Sequence, residues 1–223
     1  MSTRKTAEKN KLFGEALLEW YHTRNNRSFP WRRSHDPYQV LVAEIMLQRT
    51  KAKQVVPVFL SFMQRFPTAE KLNDASLSEI EFYFLKLGLF WRAENVKKLA
   101  KKIVEEFAGK IPGERERLIT LPGVGDYVAD AVLCFAHSQD VAIVDSNVCR
   151  IIGRVFGLKK KKEARRDPIY RRLARELLPK GKCKEFNWAL IDHASTICVP
   201  NKPKCTSCPL NSICLYYRPA FSR

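Results

Sequence analysis

Apolar residues recur at helical spacing along nearly the whole chain. The clearest run begins at Ala93, where Val96, Leu99, Ala100, Ile103, Val104 and Phe107 share one face, with Gly109 as the predicted stop. Residues 9–24 form an earlier amphipathic pattern that ends at Asn25-Asn26. Asp36 before Pro37 predicts a helix start, with Asp36 as N-cap and Pro37 in the first turn. That helix is expected to run to about Gln48, with Val42, Ile45 and Met46 facing inward. Residues 50–66 read as a further helix, which Pro57 must kink or delay. Ser76-Leu77-Ser78-Glu79 fits a capping box for a helix stopping at Gly88. A short helix over residues 114–120 leads to Pro122-Gly123-Val124-Gly125, a glycine hairpin between two helical patterns. Beyond it, helices are predicted from Asp145 to Phe156, with Gly157 as the stop, after Asp167-Pro168, and over residues 183–196.

The count is about ten helices with no convincing strand and no repeat, so the predicted fold class is all-α. A hydrophobic fraction of 45% in 223 residues supports a packed core of one large or two small domains and excludes a disordered chain. Forty Lys and Arg against 23 Asp and Glu give a formal charge of +17. That balance points to nucleic acid or another polyanion, and a merely soluble basic protein is the bland alternative. No apolar stretch is long enough to cross a membrane, and the first residues lack the apolar core of a signal peptide, so an intracellular protein is expected.

Gly123 and Gly125 permit positive φ and a close backbone approach, and the helix that follows Val124 and Gly125 offers its first N–H groups to an anion. An ordinary helix–turn–helix corner has the same residues. Glu44 sits inside an apolar segment, as either a solvated carboxylate or one whose pKa burial raises. Lys159-Lys160-Lys161-Lys162 and Arg165-Arg166 form a basic loop, either solvated or in contact with phosphate. His22, His35, His137 and His193 are scattered and are assigned to surface or core. Seven cysteines, an odd number, argue for thiols and metal rather than disulfides. Cys198, Cys205, Cys208 and Cys214 cluster within 17 positions as a metal-ligand set suited to zinc or to an iron–sulfur cluster. Only one short C-x2-C knuckle is present, and the wider outer spacings favour the larger cluster. Cys134, Cys149 and Cys183 lie in apolar helix segments and read as small buried hydrophobes.

Taken together, these motifs resemble the helix–hairpin–helix (HhH-GPD) base-excision DNA glycosylases that carry a four-iron cluster: endonuclease III, the MutY adenine enzymes and the Mig-type thymine enzymes. The resemblance runs through Phe29-Pro30-Trp31-Arg32, Asp36-Pro37-Tyr38, Glu44-Ile45-Met46-Leu47-Gln48-Arg49-Thr50, the hairpin with Asp145, and the cysteine spacing. It implies a six-helix barrel domain over residues 30–139. Residues 1–29 and 140–223 would form a cluster domain holding [4Fe-4S] on Cys198, Cys205, Cys208 and Cys214, with a cleft for double-stranded DNA between the domains. It further implies base flipping and cleavage of the N-glycosidic bond. Asp145 matches the catalytic aspartate, although the N-cap of the following helix is its simpler reading. Tyr127 stands where strand-cleaving members carry the Schiff-base lysine, so base release without lyase activity is expected; packing across the hairpin is the alternative. Glu44 matches the glutamate that protonates adenine in MutY-like enzymes and is also present in the Mig type. Gln48 and Arg49 would fill the gap left by the flipped base or contact the opposite strand; a solvated helix end is their other reading. The hairpin residues Gly123, Val124 and Gly125 would contact the DNA backbone.

Two features favour thymine or uracil opposite guanine over adenine. The chain ends nine residues after Cys214, whereas MutY enzymes continue into a second domain. The segments Gly181-Lys182-Cys183-Lys184-Glu185-Phe186-Asn187 and Cys214-Leu215-Tyr216-Tyr217 are similar to the Mig branch. Gly88-Leu89-Phe90-Trp91-Arg92-Ala93 is closer to MutY, and Ser146 after Asp145 matches neither branch. An adenine enzyme and a non-catalytic DNA-binding module on the same fold are the alternatives. A monomer acting on nucleoid DNA in the cytoplasm is expected.

Overall fold

The computed structural model describes residues 3–24, 27–159 and 161–217. The predicted stop at Asn25-Asn26 and Lys160 of the basic loop lie outside these residues. The chain divides into two compact units, one of Met1–Arg27 with Ser138–Arg223 and one of Ser28–His137. Among the described residues the regular structure is helical throughout. No described helix is long and apolar enough to cross a membrane.

The first unit opens with α1 (Thr3–Arg24). The second unit contains α2 (Pro30–Arg33), α3 (Pro37–Leu47), α4 (Ala52–Arg65), α5 (Ala69–Asp74), α6 (Leu77–Leu85), α7 (Ala93–Phe107), α8 (Arg115–Leu118) and α9 (Asp126–Phe135). The first unit then resumes with α10 (Ser146–Phe156), α11 (Pro168–Leu177) and α12 (Cys183–Thr196).

The predicted caps form. The Asp36 carboxylate accepts from Tyr38 N at 2.9 Å, and the Asp167 carboxylate accepts from Ile169 N at 2.8 Å. Ser76 and Glu79 close a full capping box. α4 starts at Ala52, two residues later than expected, and carries exposed Pro57 within it at the loss of one ladder bond. Two short helices, α2 and α5, escape the sequence reading because four and six residues display no full period. α7 shows the predicted face, with Val96, Leu99, Ala100 and Ile103 buried; it ends at Phe107, with Ala108 already left-handed ahead of Gly109.

In the second unit α3 departs from the amphipathic expectation. Val40 to Met46 are all buried, Glu44 included, so the helix is buried on every side along this stretch and runs through the core. It packs against α2, α4 and α9, and α9 is buried from Val128 to Phe135. In the first unit α10 packs on α11 and α12, which also contact α1. The last carbonyls of α10 have no partner within the helix. Leu215 N and Tyr216 N donate to Val155 O and Arg154 O at 3.2 and 3.0 Å, and Lys9 Nζ donates to Val155 O at 2.9 Å. Gly157 ends the helix at φ +69°, a conformation that costs other residues about 1–2 kcal/mol. The end of α10 is thereby joined to the segment that follows Cys214.

Candidate active site and cysteine pocket

In the second unit the packing of α3 against α9 brings Glu44 to Tyr127. The Tyr127 hydroxyl donates to the Glu44 carboxyl, and the Arg32 guanidinium is close enough to act on it electrostatically. Glu44 is only 4% exposed, and its Oε2 has no hydrogen-bond partner. Burial pushes its pKa up to about 7, against the opposing pull of Tyr127 and Arg32. The dry-pocket reading of Glu44 is therefore the one realised. A carboxyl of this kind holds a proton near neutral pH and has an oxygen left for a ligand.

The hairpin is a tight turn closed by Val124 N on Leu121 O at 3.1 Å. Gly123 has φ +80° as expected. Gly125 does not: it is extended, at φ −101° and ψ −177°, because it serves as N-cap of α9. What its missing side chain provides is open space, with nothing within 4 Å of where a Cβ would stand, and a helix N-terminus with no side-chain cap. Val124 is buried and anchors the turn. Gln48, the C-cap of α3, donates to Gly123 O across a long 3.5 Å. Arg49 is exposed with a left-handed backbone, φ +64°. Arg92 donates to Ile45 O at 2.9 Å near the end of α3; burial and the nearby Arg49 lower its pKa. Arg115 ties the start of α9 down, with contacts of 2.5 Å to Asp126 and 2.8 Å to Asp130.

In the first unit Asp145 is the N-cap of α10, the simpler of its two sequence readings. Its Oδ1 accepts from Asn147 N at 2.9 Å and Val148 N at 2.7 Å, and its Oδ2 accepts from Asn147 Nδ2 at 2.7 Å. Asp145 remains half-buried. Arg150 Nη1 donates to Asn147 Oδ1 at 2.9 Å, its Nε to Cys198 O at 2.9 Å and its Nη2 to Ala194 O at 3.0 Å. A continuous set of hydrogen bonds thus runs from Asp145 through Asn147 and Arg150 to the backbone of Cys198.

Cys198, Cys205, Cys208 and Cys214 line one cavity, bordered by Arg154, His193 and Tyr216. Among the described residues, no three His, Cys, Asp or Glu side chains are grouped so as to hold a single metal ion. Burial, followed by Cys214 and Cys198, raises the Cys205 thiol. Burial pushes the Cys208 thiol up to about 12, and the other three cysteines add to the rise. Four thiols lining one cavity are a soft donor set of the kind that zinc or an iron–sulfur cluster takes. Arg154 Nη1 donates to Cys198 Sγ at 3.3 Å and to Val199 O at 2.8 Å, and its guanidinium lies 4.7 Å from the Tyr216 ring centre. His193 Nε2 is 3.2 Å from Cys208 Sγ. His193 is buried as core, while His22 and His35 are exposed and His137 is half-buried. Cys134, Cys149 and Cys183 are buried, as read from the sequence. Asn147, Arg150, Arg154 and His193 carry no local sequence signal of these contacts; a 3.6-residue period places them on helices but does not say what they face.

Helical structure throughout the described residues, a glycine turn near a buried acid in one unit, and a capping carboxylate and a four-cysteine pocket in the other define a class, and comparison with known proteins gives the family. A family model described as "HhH-GPD superfamily base excision DNA repair protein" matches residues 42–179. The chain is 41% identical to the thymine/uracil-DNA glycosylase of Pyrobaculum aerophilum, with 92% of each chain covered. A solved thermostable thymine-DNA glycosylase superposes with a TM-score of 0.88 at 36% identity, over 95% of this chain and 98% of that one. The adenine DNA glycosylase of Buchnera aphidicola is 34% identical, and the match spans 58% of its length. This chain belongs to the HhH-GPD superfamily of base excision DNA repair proteins.

The pKa of Glu44 has a consequence for stability. The folded protein holds this proton to a higher pH than the unfolded chain does, so the stability Glu44 contributes is present at low pH and is lost as pH rises through about 7. The effect is at most about 3 kcal/mol. Glu44→Gln is expected to raise the melting temperature more above about pH 8 than below about pH 4.5. Equal effects at both ends of the range would show that Glu44 is not held neutral by burial.

Proposed function

We propose that this protein is a monofunctional mismatch DNA glycosylase that flips thymine or uracil opposite guanine out of double-stranded DNA and hydrolyses its N-glycosidic bond. The observation that carries this reading is Glu44 with Tyr127: a proton-holding acid in a dry site, beside a phenol where a lyase would need an amine. Similarity to thymine/uracil enzymes over nearly the full chain supports the choice of base.

In this reaction the bond between the sugar carbon and the base nitrogen breaks, and its electron pair leaves with the base. Positive charge develops on the sugar and negative charge on the departing pyrimidine. Asp145 supplies the carboxylate that stabilises the sugar cation, and its bonds to Asn147 and Val148 fix that carboxylate in orientation. Glu44 in its protonated form donates to a carbonyl of the departing base. Water completes the hydrolysis and leaves an abasic site. The Tyr127 phenol holds Glu44 and forms no Schiff base, so the strand stays intact. Gly123, Val124 and Gly125 present the turn and the N-terminus of α9 to a backbone phosphate. Gln48 and Arg49 occupy the space of the flipped nucleotide or engage the opposite strand. The protein acts as a monomer on DNA inside the cell.

Cys198, Cys205, Cys208 and Cys214, which line one cavity, would hold a [4Fe-4S] cluster, and the cluster would supply structural cross-linking of the C-terminal segment. Arg154 balances the thiolate charge at Cys198, and Arg150 secures the loop that carries it. The protein isolated without oxygen should be brown and contain iron and acid-labile sulfide in equal amounts; zinc without sulfide would replace the cluster with a simple metal site.

Base release is tested with labelled G:T, G:U, G:A and oxidised-G:A duplexes, each with and without alkali. Cleavage at T or U only after alkali is the expected result. Release of adenine would move the protein to the adenine branch with Glu44 as the leaving-group acid. Strand breaks without alkali would refute the role given to Tyr127.

A further inference from the structure

We propose that residues 159–175 form a second contact for a DNA backbone, distinct from the end of α10 that carries Asp145. The inference rests on the reading of the chain as a DNA enzyme only for the choice of polyanion. This segment holds four lysines and five arginines against Glu163 and Asp167, an excess of seven positive charges. It follows the C-terminal end of α10, and the eleven-residue helix separates it from Asp145 by about 16 Å.

Among the described residues of this segment, bonds hold the backbone and leave the cations outside. Tyr170, buried in the core, donates its hydroxyl to Lys159 O at 3.3 Å. Arg171 Nε donates to Arg165 O at 3.1 Å, and Arg166 N and Asp167 N close the turn on Glu163 O and Ala164 O. The two carboxylates are shared out locally. Lys161 pairs with Asp167, Arg165 and Arg166 both approach Glu163, at 3.5 and 3.8 Å, and Arg172 pairs with Glu176, one residue beyond the segment, at 3.7 Å. Lys159, Lys161, Lys162, Arg165, Arg166 and Arg172 are all exposed.

α7 shows what a solvated charged face of this protein looks like. There Lys98, Lys101 and Lys102 each pair with a glutamate of their own, Glu94, Glu105 and Glu106, one turn away. Residues 159–175 lack that balance. Like charges held on a fixed backbone repel one another, and a polyanion relieves the repulsion. A duplex, with a phosphate charge every ~1.7 Å along its axis, supplies the density to match. Contact of this kind is independent of base sequence and leaves the mismatch to the other end of α10. Because the segment follows the same helix that carries Asp145, the backbone it contacts is that of the DNA flanking the mismatch.

The test is binding of an unmodified, fully paired duplex across a salt series, which needs no base release and so stands even if the glycosylase reading fails. The lobe variant combines Lys159→Gln, Lys162→Gln and Arg166→Gln. The control combines Lys98→Gln, Lys101→Gln and Lys102→Gln, with the same loss of charge. Melting curves establish that both are folded. The lobe variant is expected to flatten the slope of log K against log salt by about 2–3, with the control unchanged. A loss confined to duplexes several turns long assigns the contact to flanking DNA, and an equal loss on duplexes of about one turn assigns it to a second molecule. A lobe variant with the wild-type slope, or the same loss in lobe and control variants, would overturn the proposal.

Discussion

The packing of α3 against α9 is the constraint on which the second unit depends. Both helices are buried on nearly every side, so neither can rotate or slide without moving a large apolar surface into water. That rigidity holds a carboxyl where water would not be displaced for nothing. Leaving Glu44 Oε2 without a partner carries a cost that protonation reduces. The buried acid, the Tyr127 hydroxyl and the glycine turn at the head of α9 all take their positions from this one contact. Arg92, bonded to Ile45 O, extends the same frame to the loop after α3.

The first unit is organised by α10 in a comparable way, with polar contacts at both ends in place of burial all round. Its N-terminus is capped by Asp145, and its C-terminal carbonyls are taken up by the backbone after Cys214. Between them Arg150 and Arg154 reach across to the last turn of α12 and the loop that follows, through Ala194 O, Cys198 O, Val199 O and Pro200 O. Charged donors make strong contacts, and the Ala194 and Cys198 carbonyls, on buried residues, would lose a partner if Arg150 were removed. The orientation of Asp145 and the shape of the cysteine pocket are consequently set by the same helix.

Much of the fold was legible in the sequence because its signals are local. Asp36-Pro37, Asp167-Pro168 and Ser76 with Glu79 each specify a cap within four residues, and α7 displays its period without interruption. α2 and α5 were not legible, since a single turn shows no period. Gly125 looked like a second positive-φ residue, yet its role is to be small at a helix start. The cysteine spacing led to one cavity, and the burial of Glu44 was one of two open readings. The contacts of Asn147, Arg150, Arg154 and His193 were beyond reach because they join residues far apart in the chain and depend on which face of a helix meets which loop.

Asp145 is proposed to act on the bond that breaks, beyond its part in capping α10. The most direct measurement pairs mismatch binding with base release for Asp145→Asn, whose amide oxygen retains the cap acceptor while the charge is removed. Near-native binding and melting temperature with base release lost is the expected result. Retained base release in that folded variant would contradict it and leave Asp145 as a helix cap alone.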